Sequence, residues 1–234
     1  MKKMSNGEED GMSNLSAFDI IGPIMVGPSS SHTAGAARLG KVAMSIAGKN
    51  FNKVTFYLHG SFAKTYRGHG TDRALVAGIL GMETYDDRLK YSLEIAKEKG
   101  IEVEFVEADL GDVHPNTVKI VFHKEDGTKF EVVGSSIGGG NIIITEINGD
   151  KVEFTGDYPT LIVKQRDVKG MISSVTAILA SQNINIATMR VTRRAKGKEA
   201  LMIIETDAEI SEYVLKVIEK VENILSAKAI NPVK

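Results

Sequence analysis

The change of hydrophobic pattern at Pro159 constrains the fold of this chain more than any other feature. Beyond it, β-rich runs alternate with runs of helical spacing in the order strand, helix, strand, strand, helix, strand. We predict strands at 160–166, 184–192, 200–206 and 225–230, a helix beginning at Met171, and a second helix capped by Ser211. This order is a split βαβ unit whose helices cover one sheet face. The open face or edge of so small a sheet favours pairing with a second copy.

The preceding residues, 16–155, predict a separate α+β domain. Helices are expected at 31–47, 61–66, 71–80 and 87–99. Strands are expected at 18–24, 54–59, 102–107, 117–123, 129–135, 142–147 and 151–154, the last two joined by a hairpin turn at 148–150. Residues 1–15 combine acidic residues with scattered glycine and serine, and we expect them to form a disordered tail. The α+β module after Pro159, residues 159–234, forms the second domain.

The composition of the 234 residues excludes several classes of function. The 29 basic and 30 acidic residues leave a net charge of −1, which indicates neither nucleic-acid binding nor attraction to anionic membranes. The chain has no cysteine, and so has no thiolate for a disulfide, a zinc site or an iron–sulfur cluster. We find neither a signal peptide nor an apolar run of membrane-spanning length, and therefore expect a soluble cytoplasmic protein without nucleic-acid or membrane partners.

The run GPSSSHTAG at residues 27–35 is the densest chemical motif. One serine, Ser30 or Ser31, is expected to cap the following helix, which places hydroxyls, His32 and free backbone N–H groups at a positive helix end. Such an end suits a carboxylate or a phosphate. The alternative is a plain serine cap beside a solvated histidine. The small residues that follow, as far as Gly40, allow another backbone to approach closely.

A second motif, HGS at 59–61 followed by RGHGTDR at 67–73, contributes two more histidines. Thr71 is expected to cap a helix, and the glycines on both sides of His69 leave its imidazole uncovered. A histidine that titrates near neutral pH exchanges protons readily. The alternative for His69 is a loop histidine hydrogen-bonded to Asp72. For His59, a functional role and a plain strand-end role are equally open.

Other segments carry weaker signals. His114 lies in a turn and is expected at the surface, and His123 precedes a hairpin turn and is expected to be exposed. The run SSIGGGN at 135–141 predicts a glycine-rich loop that either presents N–H groups to an anion or is merely a bend. GAARLGK at 35–41 fits a nucleotide-binding loop, but Val42 replaces the required serine or threonine, and we reject that function. The histidine spacing and the lack of a carboxylate cluster predict no metal site on this chain.

Together, these motifs resemble those of the β subunits of two-chain, iron–sulfur-dependent bacterial L-serine dehydratases. The matching blocks are FDIIGP at 18–23, GPSSSHTAG at 27–35, GS at 60–61, GHGTD at 68–72, HPNT at 114–117 and SIGGG at 136–140. The resemblance extends from residue 16 to residue 155 and implies conversion of L-serine to pyruvate and ammonia. It also implies a [4Fe–4S] cluster held by a separate α subunit, in agreement with a chain that has no cysteine.

The resemblance implies that this chain supplies binding and proton-transfer groups. His69 is the predicted base because its loop leaves it free to reach a proton, His32 is also expected to be catalytic, and an exchange of their roles stays open. The hydroxyl and amide side chains expected to bind substrate are Ser29, Ser30, Ser31, Thr33, Ser61, Thr71 and Asn141. The alternative is a regulatory protein that binds an amino acid without chemistry. Two histidines favour catalysis, because a carboxylate needs only hydroxyls and N–H groups.

The region from Pro159 resembles an ACT domain, a regulatory module that commonly binds amino acids and pairs its sheet with a second copy. The candidate effector-binding residues are Asp167, Gly170, Asn183 and Asn185. Many ACT domains have Asp-x-Pro-Gly in the first turn, whereas this chain has Lys169 in place of the proline. The substitution leaves the turn less rigid. Self-association without an effector is therefore a full alternative role for this module.

Overall fold

Two β-sheets organise the residues that the computed structural model describes, 29–193 and 195–232. The first sheet contains Phe51–Leu58 (β1), Glu102–Glu107 (β2), Thr117–Lys124 (β3), Lys129–Gly138 (β4), Asn141–Ile147 (β5) and Asp150–Phe154 (β6). Its strand order is β2-β1-β3-β4-β5-β6, with β1 and β2 parallel and the other neighbours antiparallel. The second sheet contains Thr160–Arg166 (β7), Ile186–Arg193 (β8), Glu199–Thr206 (β9) and Ile224–Ile230 (β10), in the antiparallel order β10-β7-β9-β8. The predicted α+β class is confirmed.

Helices accompany both sheets. Those of the first region are Ala36–Ala47 (α1), Gly60–Thr65 (α2), Thr71–Ile79 (α3) and Ser92–Glu98 (α4), and those of the second are Met171–Ser181 (α5) and Glu212–Glu219 (α6). A π-helical turn, Ser31–Gly35, leads into α1, and a 3₁₀ turn, Asp87–Tyr91, leads into α4. The rejected nucleotide-binding match thus lies in a helix. The strand predicted at 18–24 and the tail predicted at 1–15 lie outside the described residues.

No helix in the described part of the chain is both long and apolar enough to cross a membrane.

Helices α1 and α3 pack with their backbones in contact. A Cβ atom on Gly40 would lie 2.4 Å from the carbonyl oxygen of Leu75, and one on Gly78 would lie 2.1 Å from the carbonyl oxygen of Ala37. Any side chain at these positions would push the two helices apart, because a packed interior has no room to absorb it. The close approach predicted for Gly40 is confirmed.

Alternate residues of the second sheet face opposite sides, as the pleat of a strand requires. One set packs with α5 and α6 in a buried cluster that includes Leu161, Val163, Met202 and Ile204. The other set belongs to the core of the first region and includes Ile162, Leu201, Ile203 and Ile230. The expectation of an open sheet face was therefore wrong, because the first region covers it. The edge strand β8 keeps Met189 and Val191 exposed, at 42% and 37%.

Two local predictions are wrong, and a third is confirmed in position only. Ser30 occupies the N-cap position as predicted, but it has helical backbone angles and its side chain makes no capping hydrogen bond, because the chain is already coiled into the π-helical turn there. The residue that caps α3 is Gly70, whose φ of 71° favours glycine, and Thr71 is the first helical residue. The predicted loop at 135–141 is a tight hairpin instead, because β4 continues to Gly138 and pairs there with Asn141.

Candidate functional site

His32 lies in the π-helical turn Ser31–Gly35 and is buried, with 8% of its surface exposed. Its Nδ1 shares a hydrogen bond with Ser29 Oγ at 3.2 Å, and its Nε2 shares one with Ser61 Oγ at 3.1 Å. A neutral imidazole has one donor and one acceptor nitrogen, so one serine accepts and the other donates. Single π-helical turns occur frequently at functional sites. The two serines therefore fix the ring of His32 from opposite sides.

His69 lies beside His32, with ring centroids 4.8 Å apart and ring planes at 89°. Its backbone N–H donates to the carbonyl oxygen of Thr65 at 3.0 Å, which holds the loop against the end of α2. The ring is half-buried rather than uncovered as predicted, and its Nδ1 is buried without a hydrogen-bond partner. The Asp72 carboxylate accepts from the N–H of Arg73 at 2.8 Å instead of bonding His69. The plain alternative for His69 thus finds no support.

The electrostatics of the pair favour one neutral ring. Burial lowers the pKa of His32 below its ordinary value of 6.5, and the neighbouring His69 lowers that pKa further. Two adjacent imidazolium ions would repel each other at short range. His32 is therefore neutral at pH 7, with one ring nitrogen donating and the other accepting a hydrogen bond.

Unpaired polar atoms concentrate around this pair. Among the described residues six buried side-chain nitrogen or oxygen atoms lack a partner, and the sixth, Gln165 Oε1, lies in the second sheet. The other five are His69 Nδ1, Thr33 Oγ1, Thr71 Oγ1, Asn116 Oδ1 and Ser136 Oγ. A Cβ atom on Gly35 would lie 2.0 Å from Ser136 Oγ, and the N–H of Ser136 donates to the carbonyl oxygen of Asn116 at 3.0 Å. Buried polar groups are nearly always paired, so this cluster is a candidate site for a polar ligand.

The turn before β3 holds α2 against this cluster. The N–H of Ser61 donates to the carbonyl oxygen of Pro115 at 2.8 Å. Gly60, with φ of 56°, approaches so closely that a Cβ atom would lie 2.6 Å from the same oxygen, which leaves room for glycine alone. The hydroxyls of Thr117 and Ser135 share a hydrogen bond of 2.7 Å at the adjacent end of the first sheet. Ser61 is thus fixed where it reaches His32.

Four of the predicted substrate-binding residues lie close to His32 and His69. These are Ser29, Ser61, Thr33 and Thr71. Ser30 and Ser31 are half-buried in the turn next to His32. Asn141 is exposed at the β4–β5 hairpin, and this hairpin meets the π-helical turn where Gly140 approaches Ala34.

Sequence reasoning missed Asn116 and Ser136 as site residues. Both lie in blocks, HPNT and SIGGG, that carry the family resemblance, and that membership was the signal for them.

The remaining histidines lie outside the pair. His59 Nδ1 accepts from the N–H of Leu110 at 3.1 Å and lies 3.7 Å from the Asp109 carboxylate, so its role is structural. His114 is exposed, as predicted. The prediction for His123 is wrong: it is half-buried, because its Nε2 shares a 3.1 Å hydrogen bond with the hydroxyl of Thr55 inside the first sheet, and burial lowers its pKa.

The candidate effector residues of the second region fall at opposite ends of α5. Asp167 precedes the helix and accepts from the N–H of Gly197 at 3.0 Å and from Arg193 at 3.0 Å. Gly170 occupies the cap position with φ of 90°. Asn183 follows the helix with φ of 56°, and Asn185 donates to Asp207 at 2.6 Å. One copy of the chain therefore does not bring the two halves of the predicted pocket together.

The residues of this chain do not fit an iron–sulfur cluster. The sequence contains no cysteine, and the described residues contain no group of three or more His, Asp or Glu side chains arranged to hold a metal ion. Ligands for a cluster of the kind that the resemblance implies would have to come from another chain.

Two known protein families match the two regions of this chain. The family described as serine dehydratase beta chain matches residues 16–97, and the ACT domain matches residues 159–223. The first match contains His32 and His69, and the second contains β7, β8, β9 and both helices of the second region. The fold and the site thus define a serine dehydratase beta domain followed by an ACT domain.

Similarity to individual proteins extends over nearly the whole chain. A probable L-serine dehydratase beta chain of Bacillus subtilis is 46% identical, over 94% of this chain and 99% of the relative. An L-serine dehydratase beta chain of Peptoniphilus asaccharolyticus is 47% identical, over 93% of this chain and 98% of the relative. A D-3-phosphoglycerate dehydrogenase of Methanocaldococcus jannaschii is 31% identical over 84% of this chain but only 37% of the relative. The chain belongs to the family of L-serine dehydratase beta chains.

Proposed function

We propose that this chain is the β subunit of a cytoplasmic L-serine dehydratase, which converts L-serine to pyruvate and ammonia together with an α subunit. Membership of the family supports the reaction. The observation that carries the proposal is the buried His32–His69 pair with the unpaired polar atoms in and around it. In this proposal the [4Fe–4S] cluster belongs to the α subunit, because this chain has no cysteine.

In this proposal the π-helical turn and the start of α3 bind the substrate, and a histidine beside them transfers the proton. Hydroxyls of Thr33 and Thr71, which lack partners within the described protein, bind the substrate carboxylate together with backbone N–H groups at the positive helix ends. The base removes the proton from Cα, the Cβ–O bond breaks as the Cα–Cβ double bond forms, and transfer of that proton to the leaving hydroxyl releases it as water. The resulting enamine tautomerises and is hydrolysed to pyruvate and ammonia.

His69 is the base in this proposal. Both ring nitrogens of His32 are engaged by Ser29 and Ser61, whereas Nδ1 of His69 has no partner in the described residues. A general base must reach the proton that it removes, and only an unengaged nitrogen does so without first breaking a hydrogen bond. His32, neutral and fixed, packs against His69 and orients it.

The ACT domain serves self-association in this proposal, so that the holoenzyme is a dimer of αβ units. The edge strand β8 supports this role, because it presents unpaired backbone groups together with exposed Met189 and Val191. Engagement of Asp167 by Gly197 and Arg193 favours dimerisation over effector binding.

Anaerobic assay of the purified chain, alone and with its α subunit, tests the proposed function. We expect no turnover of L-serine by the chain alone, even with iron and sulfide supplied, and turnover by the αβ complex. Turnover by the isolated chain would refute the two-chain reaction. Binding of L-serine without any turnover by the complex would instead support the regulatory alternative, which the family comparisons do not favour.

A further inference from the structure

The C-terminal end of helix α1 is bonded to the ACT sheet. Lys228, on β10, donates from Nζ to the carbonyl oxygen of Ile46 at 2.7 Å. Lys124, on β3, donates to the carbonyl oxygens of Ala47 and Gly48 at 2.7 and 3.0 Å. The last carbonyls of a helix have no partner within it and carry the negative end of its dipole. Two ammonium groups, one from each region, satisfy this end.

Lys228 is held in an environment that disfavours its charge. Burial lowers the pKa of Lys228, and repulsion by Lys124 lowers it further. Its ammonium lies over the ring of Phe130, 5.1 Å from the centroid. The carbonyl and ring contacts of this ammonium group offset the free-energy cost of burying its charge. The bond to Ile46 is therefore specific rather than an incidental surface contact.

Two more contacts join α1 to the segment that leads into the ACT domain. Arg38 forms an ion pair with Asp157. A Cβ atom on Gly156 would lie 3.2 Å from the side chain of Val42. Since the π-helical turn that carries His32 continues directly into α1, this one continuous helical segment connects His32 at its start with Lys228 at its end.

We propose that Lys228 is a positioning residue, which couples the placement of the ACT sheet to the placement of His32 between Ser29 and Ser61. A displacement of β10 moves α1 through the Lys228–Ile46 bond. The π-helical turn, which carries His32, moves and deforms with α1, because the two form one continuous helical segment. The His32 ring then leaves the geometry that the two serines define. The link from this coupling to turnover, but not the coupling itself, rests on the proposed function.

Nitrogen-15 NMR of the His32 ring in the full chain tests the coupling, since ring shifts report tautomer and hydrogen bonding. We expect Lys228→Met to change the His32 shifts, Lys228→Arg to preserve them, and the exposed-site control Lys220→Met to leave them as in the wild type. Lys124→Met should change them less, because Lys124 caps the same helix from within the first region. Lys228→Gln replaces the Met variant if the latter does not fold. Unchanged shifts in the Lys228 variant, or equal changes with Lys124→Met, would overturn the proposal.

Kinetics of the αβ complex provide the second readout. A misplacement remote from the chemistry lowers turnover by up to about 100-fold, so we expect Lys228→Met to lower kcat by about 10-fold to 100-fold with little change in KM. A rise in KM alone would contradict a positioning role. If the wild-type complex has no activity, only the proposed function fails, because the NMR shifts decide the coupling separately.

Discussion

The two ends of the helical segment 31–47 are built in opposite ways. At the C-terminal end, Lys124 and Lys228 satisfy the last carbonyls, and Gly48 closes the helix. At the N-terminal end, the turn is π-helical, no serine side chain caps it, and the buried hydroxyl of Thr33 has no partner in the described protein. A satisfied end contributes stability, whereas an unsatisfied buried end is stable only where something else compensates it. From this contrast we infer that the N-terminal end, and not the C-terminal end, is the candidate ligand site.

Replacing His69, at the N-terminal end, should have the largest effect on turnover, because it removes the unengaged base while leaving the helix intact. In the αβ complex we expect His69→Ala to lower kcat by about 10²–10⁴-fold with little change in KM. Steady-state assay at saturating L-serine measures it. His123→Ala is the matched control, since His123 lies at the other end of β3 from the site. Near-normal turnover with His69→Ala, combined with loss of turnover in His32→Ala, would exchange the two roles.

Forcing the two helices apart should come next. The Cβ atom of Gly78→Ala would lie 2.1 Å from the carbonyl oxygen of Ala37, and overpacking of this kind costs about 1–3 kcal/mol. Chemical denaturation measures the free energy of unfolding. Gly68→Ala is the control, because its nearest neighbour would be 3.8 Å away. Equal losses in both variants would mean that the α1–α3 backbone contact is no more sensitive to an added methyl group than the exposed loop at Gly68.

The pH dependence of stability should show a smaller effect. Burial and then His69 lower the pKa of His32 from its ordinary 6.5, so below pH 6.5 the unfolded chain binds a proton that the folded chain does not. The contribution of His32 to the free energy of unfolding is thus fully present above pH 6.5 and is lost as the pH falls below it. Denaturation of His32→Gln across this range should show a shallower slope than the wild type, whereas the control Ser45→Ala, which changes no titrating group, should keep the slope. Identical slopes in all three proteins would show that His32 is not desolvated.

The smallest effect is expected at the serines of the turn. Ser30→Ala and Ser31→Ala each remove a hydroxyl next to His32, and the loss of one hydrogen bond to a charged ligand raises KM for L-serine about 10-fold. Initial rates over a range of L-serine concentrations give KM and kcat separately. Ser45→Ala, on the same helix but with its hydroxyl bonded to the Lys41 carbonyl, should leave both unchanged. A fall in kcat with constant KM would remove these serines from substrate binding.

Much of this molecule follows from sequence pattern. Strand β2 and strand β7 occupy the predicted residues, and Ser211 caps α6 with a bond from the Val214 N–H, because period-2 alternation and capping are local signals. The histidine-bearing motifs were recognisable because glycines and hydroxyls flank them. The predictions that failed depend on distant partners: His123 is half-buried beside Thr55, and the first region covers the ACT sheet. Such contacts leave no periodic trace in the chain.

Because the first region covers one face of the ACT sheet, deletion of the ACT domain would also affect the first region. Removing residues 159–234 would expose the apolar side chains of the first region that Ile162, Leu201 and Ile230 now cover. Sedimentation of the αβ complex without this segment is therefore expected to show some aggregated material in addition to a lower oligomeric state. An unchanged mass would mean that assembly does not depend on the ACT domain.

Chemical rescue tests most directly whether the N-terminal end of this helical segment performs proton transfer. We expect added imidazole to restore turnover of L-serine in the His69→Ala αβ complex, in proportion to the concentration of neutral imidazole, because the small base takes the place of the missing ring. The same addition should leave the wild type and His123→Ala unaffected. Wild-type turnover by His69→Ala without imidazole, with rescue confined to His32→Ala, would contradict this expectation.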